Sequence, residues 1–131
     1  MNIILLLTYS EKCFIIYLFN IKEREYMSFD ELLARVRNIA DKVDASGVEF
    51  LAVQVNITGA DGGVFYVEVK NGVIFVEPFE YIDRNCEITI SMDNFVKLME
   101  GKLDPIAAFT LGKLKVNGDI GKALDFAKII K

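Results

Sequence analysis

The chain has 131 residues, a hydrophobic share of 53%, and 15 basic against 19 acidic side chains for a net charge of −4. That length suits a single domain with its own core. The acidic balance, with lysines and arginines scattered rather than clustered, argues against a nucleic-acid binder that lives on phosphate contacts. Histidine is absent, which excludes a conventional triad and imidazole metal ligation. Cys13 and Cys86 lie too far apart for metal-ligand spacing and do not make a disulfide framework, so a reducing cytoplasm is the default setting. The apolar share exceeds what a small domain normally carries. The excess must sit in a core, an interface, a membrane segment or a ligand cavity.

Residues 1–26 differ from everything that follows. Two apolar runs, 3–7 and 13–19, are split by Ser10-Glu11-Lys12. A membrane span needs about twenty apolar residues, and Glu11 and Lys12 near the bilayer centre would each cost roughly 3 kcal/mol. A signal peptide needs a basic start and a small-residue cleavage site, and the segment has neither. Three readings remain: a translated leader upstream of a start at Met27, an extra helix or strand docked on the domain, and a weak membrane anchor. The first is favoured because Met27 directly precedes a complete helix start. The expected division is therefore an N-terminal extension over 1–26 and a domain over 27–131.

That helix start is Ser28-Phe29-Asp30-Glu31, a capping box with Glu three residues after Ser. Leu32, Leu33, Val36, Ile39, Ala40 and Val43 then share one helical face. Residues 44–47, Asp-Ala-Ser-Gly, end the helix. Residues 49–57 alternate as a strand, with Leu51, Val53, Val55 and Ile57 on one side and Gln54 and Asn56 on the other. The Gly-rich run 59–63 lacks the Lys-Ser/Thr and following helix of a phosphate loop, so it reads as a hairpin turn. Residues 64–70 form the next strand. Asn71-Gly72 is a strong hairpin signal, because a type I′ turn needs positive φ at both central residues. Residues 73–77 return, Pro78 stops them, and 79–85 is a loop.

Residues 86–91 alternate again, with Cys86, Ile88 and Ile90 inward. Ser91 stands where an N-cap belongs. Met92, Phe95, Val96 and Met99 follow at helical spacing, with Leu98 beside them, and Gly101 stops the helix. Asp104-Pro105 starts a shorter helix, since Asp caps and Pro suits the first helical position. Gly112 ends it. Residues 113–118 are a strand with Leu114 and Val116 inward. Asp119 caps a last helix whose stripe is Ile120, Ala123, Leu124, Ala127 and Ile130, widened by Phe126 and Ile129. These elements predict an α+β fold: a five-stranded, mainly antiparallel sheet with helices packed on one face. The other face, with Gln54, Asn56, Tyr66, Glu68, Thr89, Lys113 and Lys115, suits solvent.

No catalytic motif appears. Ser46 and Ser91 are not in a nucleophile elbow. Cys86 opens a strand on its inward face and reads as an inert thiol. Glu77 and Glu80 flank Pro78 and read as solvated loop charges. What remains is apolar: Phe95, Leu98, Met99, Leu103, Ile106, Phe109, Leu111, Leu124, Phe126 and Ile129 gather on the last three helices and their links. They suit a packed core, or a tunnel between helices and sheet that holds a lipid.

The stretch 86–118 also carries a resemblance. A strand ending Ile-Ser, a helix ending Leu-Met-Glu-Gly-Lys, then Asp-Pro-Ile-Ala-Ala-Phe, then Gly-Lys-Leu-Lys-Val-Asn-Gly-Asp resembles the sterol carrier protein domain, the nonspecific lipid-transfer family. The match is strongest over 86–131, is one of element order over 27–85, and leaves 1–26 outside. The resemblance implies an apolar cavity that binds fatty acid, acyl-CoA, phospholipid or sterol, with those ten side chains as its lipid-binding wall, no enzymatic activity and no cofactor. The C-terminal helix would be the moving gate, and Lys97, Lys102 or Lys113 would meet a head group at the mouth. Family members in peroxisomes end in a Ser-Lys-Leu type signal, whereas this chain ends Ile129-Ile130-Lys131. The expected partner is a hydrophobic small molecule, with no nucleic acid; transient membrane contact and a homodimer are both compatible. The alternative is an interaction or dimerisation module with the same fold and a filled core.

Overall fold

Ser28 does what its position predicts. Its hydroxyl accepts the Glu31 amide at 3.2 Å and starts helix α1, Phe29–Lys42. The computed structural model describes residues 27–130. The three readings of 1–26 fall outside the described residues. After α1 come β1 (Leu51–Thr58), β2 (Gly63–Lys70), β3 (Val73–Glu77) and β4 (Cys86–Ser91). Helices α2 (Met92–Met99) and α3 (Pro105–Thr110), strand β5 (Leu114–Gly118) and helix α4 (Ile120–Ile130) complete the order. Ser91 caps α2 through the Asn94 amide and Asp104 caps α3 through the Ala107 amide. Asp119 accepts the Lys122 amide at 3.2 Å at the start of α4.

The five strands form one sheet in the order β3-β2-β1-β4-β5. Three neighbouring pairs are antiparallel, and β1 with β4 is parallel. The sheet is therefore mixed, with one parallel pair that the strand patterns did not reveal. Its cause lies in residues 78–85, which carry the chain from the end of β3 back to the start of β1. There the Ala52 amide donates to Asn85 Oδ1 at 2.7 Å, and the Asn85 amide donates to the Ala52 carbonyl at 2.7 Å. Asn85 thus mimics one more residue of ladder and sets the register Val53 to Cys86. The β2–β3 turn is the predicted type: Asn71 and Gly72 have φ of 54° and 77°.

Register puts the alternating apolar residues on one face. Val53 lies beside Val67 and Cys86, Val55 beside Phe65 and Ile88, and Ile90 beside Leu114. Against this face pack Leu32, Leu33 and Val36 of α1, Phe95, Leu98 and Met99 of α2, and Phe126 and Ile130 of α4. Phe65 ties the halves together, with ring centroids 6.2 Å from Phe29 and 5.9 Å from Phe95. Burying side chains of this size stabilises by about 1.5–3 kcal/mol each.

The opposite face departs from the expectation of simple solvation. Gln54 is only 4% exposed. Residues 78–85 fold across it, and Tyr81 stands edge-on to Tyr66 with centroids 5.1 Å apart. The Tyr81 amide donates to Gln54 Oε1 at 3.1 Å, and its hydroxyl donates to Glu68 Oε2 at 2.6 Å. Gln54 donates to Asn56, Asn56 to Glu87, and Glu87 meets Arg84 at 2.8 Å. A buried amide must find partners, and this chain of polar groups across β2, β1 and β4 supplies them.

Candidate functional site

An apolar pocket of about 210 Å³ opens between the sheet, α2, α3 and α4. Each element contributes by its own period. Ile88 of β4 and Leu114 and Val116 of β5 project from the inward parity of the strands. Phe95 and Leu98 come from one face of α2, and Pro105, Ile106 and Phe109 from α3. Ile120, Ala123, Leu124, Ala127 and Ile130 are the predicted stripe of α4, joined by Phe126. Every lining residue is apolar. Phe95 and Phe126 are fully buried, whereas Ile106, Phe109, Ile120 and Leu124 are 63%, 43%, 49% and 37% exposed and form the rim.

Of the ten candidate residues, six meet on this pocket: Phe95, Leu98, Ile106, Phe109, Leu124 and Phe126. Met99 is buried in the general core, and Leu103 packs half-buried against it. Leu111 is 67% exposed beyond the end of α3. Ile129 faces a different cavity, of about 400 Å³, between α4 and the 43–51 connection, beside Asp44, Glu49, Lys122, Asp125 and Lys128. The pocket also uses Ile88, Leu114 and Val116, which strand alternation marks as inward without separating wall from core. The α4 stripe is visible in the sequence, yet only Leu124 of its five members is among the ten candidates.

Of the polar residues weighed as chemistry, Glu80 is exposed and the others are employed or buried structurally. The Ser91 hydroxyl caps α2, and the Ser46 hydroxyl, together with the Ser46 amide that donates to Asp44 at 3.0 Å, holds the Asp44 carboxyl below its usual range. Glu77 pairs with Arg37 at 3.3 Å. Cys86 is 1% exposed, and burial, with Asp119 nearby, pushes its thiol up to about 11. A thiol so placed is a poor nucleophile at neutral pH. Among the described residues no group of His, Cys, Asp or Glu is arranged to hold a metal ion. Of the lysines assigned to a head group, Lys97 pairs with Asp93 at 3.5 Å and Lys102 with Glu100 at 2.9 Å. Lys113 is exposed and directly precedes the lining residue Leu114. No helix among the described residues is long and apolar enough to cross a membrane.

The fold is matched by known proteins. The SCP-2 sterol transfer family model fits residues 29–131. Sterol carrier protein 2 of Homo sapiens is 39% identical over 66 residues, 50% of this chain and 12% of that protein. Hydroxysteroid dehydrogenase-like protein 2 of Mus musculus is 38% identical over 79 residues, 59% of this chain and 16% of that protein. The chain therefore spans less than a fifth of the length of either relative. Among solved structures, palmitated SCP2L2 from Aedes aegypti superposes with a TM-score of 0.63 at 21% identity, covering 79% of this chain and 95% of that one. Sterol carrier protein 2 from Yarrowia lipolytica, in its apo form, gives 0.60 at 20% identity, covering 83% and 95%. At such identities these likenesses speak for the fold.

Proposed function

The chain belongs to the SCP-2 sterol transfer family, and we propose that it is a non-enzymatic lipid carrier that holds one hydrophobic chain in the pocket between α3, α4 and the sheet. The observation that carries this reading is the pocket wall. It is wholly apolar and runs from two buried phenylalanines to an exposed apolar rim. Each methylene moved from water into such a site gains about 0.8 kcal/mol. A buried stretch of about eight methylenes gains roughly 6 kcal/mol, which offsets an immobilisation cost of several kcal/mol.

Loading needs the mouth to meet the membrane or aggregate that supplies the lipid. Ile106, Phe109 and Leu111 project from α3 and its end, and Ile120 and Leu124 from α4. Together they form an apolar rim suited to transient contact with a bilayer surface. A cytoplasmic setting is part of this reading. Dimerisation through the same rim, with the pocket shut, is the rival.

The test is titration of delipidated protein with a fluorescent fatty acid, beside the Leu124→Asp variant. Saturable one-to-one uptake by the native chain, lost in a folded Leu124→Asp, supports the carrier. A native chain that takes up no acyl probe and sediments as a dimer moves the assignment to the interaction module.

A further inference from the structure

Resting on the lipid-binding reading, we infer that the pocket selects a single unbranched chain, takes it methyl end first to a depth of about eight carbons, and leaves the head group unread in water. The argument starts from size. A cavity of about 150 Å³ lined by apolar side chains holds benzene, with its six carbons. The same space per carbon gives a pocket of about 210 Å³ room for about eight. Ligand sites that enclose a drug-sized molecule start near 300 Å³. Four fused sterol rings exceed the space, whereas an alkyl chain fits it end on.

Orientation follows from chemistry. No lining residue offers a polar side chain. A hydroxyl, carboxylate or phosphate pushed to the inner end beside Phe95 and Phe126 would lose its water and find no partner, which is strongly unfavourable. The head therefore stays at the rim of Ile106, Phe109, Ile120 and Leu124. The lysines expected to read it are engaged in part: Lys97 and Lys102 pair with Asp93 and Glu100. The wall thus measures chain length and cross-section and ignores head-group identity.

The experiment is competition of a chain-length series against a fluorescent acyl probe bound to the full chain. 1-Alkanols from butanol to dodecanol, the matching carboxylates and cholesterol serve as competitors. Affinity should rise about four-fold per methylene up to about octanol and then flatten. An alkanol and a carboxylate of equal length should bind within about three-fold, and cholesterol should fail to displace the probe. Ala127→Leu adds three carbons to the wall without deleting any packing, so its break should come about three carbons earlier. A four-fold slope that continues unbroken to dodecanol overturns the depth. Cholesterol displacing as well as octanol overturns the cross-section, and a ten-fold preference for one head group overturns the claim that the head is unread; in all three cases the carrier reading stands. Failure of every chain, including the probe, overturns this inference and the carrier reading together.

Discussion

Asn85 joins three parts of the fold, and its side chain can be removed without touching the backbone bonds that also meet there. Its Oδ1 accepts the Ala52 amide, while its own carbonyl accepts the Asp119 amide at 3.1 Å. Ala52 is fully buried. In Asn85→Ala the Ala52 amide keeps its burial and loses its acceptor. An orphaned buried donor costs about 1–3 kcal/mol. For a domain of this size that lowers the melting midpoint by about 5–20 °C. Asn85→Asp keeps an oxygen in the same place and should recover most of the loss. The assay is urea denaturation of both variants beside the native chain, with acyl-probe binding measured well below the transition. Because the Asn85 carbonyl still caps toward α4, binding should persist while stability falls. A loss under about 0.5 kcal/mol in Asn85→Ala, or an Asp variant no better than Ala, would refute the claim that this side chain sets the β1–β4 register.

Two further outcomes follow from the polar environment. Cys86 holds its proton up to about 11 in the folded state against an ordinary 9.0, so folding favours the protonated thiol. Its contribution is complete below pH 9.0 and is lost as the pH rises toward 11; the stability gap between the native chain and Cys86→Ala should narrow over that window in denaturation curves. Tyr81→Phe keeps the ring on Tyr66 but loses the hydroxyl bond to Glu68. It should cost about 1 kcal/mol and speed proteolytic nicking within 78–85, and unchanged nicking would show that the hydroxyl does not hold that segment down.

Much of the fold was legible because its signals are local. Ser28, Ser91, Asp104 and Asp119 cap helices where their side chains can reach a free amide three residues on, and Asn71-Gly72 closes a turn that needs two positive φ values. Strand parity placed Val53, Phe65, Ile88 and Leu114 on the inward face. The parallel β1–β4 pair was hidden because it depends on Asn85 meeting Ala52, 33 residues apart. The burial of Gln54 was hidden for a like reason. An alternating Gln is indistinguishable from a solvated one until Tyr81, 27 residues on, folds over it. The pocket was half legible. Residue type announces an apolar stripe on α4, but a filled core and a walled pocket use the same residues. What distinguishes them is whether a side chain from across the gap reaches the stripe, which is a matter of packing volume.

The structure also bears on which element moves to admit a chain. The C-terminal helix was the expected gate, yet α4 buries Ala123, Phe126 and Ile130, while α3 buries only Ala108. Lifting α4 would re-expose Phe126 and Ile130 at about 1.5–3 kcal/mol each, against roughly 1 kcal/mol for the Ala108 methyl. Lys122 fastens α4 as well, donating to the Phe50 carbonyl at 3.4 Å and lying 3.6 Å from Glu49. Helix α3 has six residues, too few to persist without packing, and two of them, Ile106 and Phe109, line the mouth. Opening by α3 is therefore cheaper by several kcal/mol, a factor of a hundred or more in population at about 1.4 kcal/mol per ten-fold. Native-state hydrogen exchange reads this directly. The amides of Ala108 and Leu111, which donate to Asp104 and Ala107, should exchange at least a hundred-fold faster than those in the second half of α4, and a bound alkyl chain should slow them most. Faster exchange in α4, with ligand protection centred there, would return the gate to the C-terminal helix.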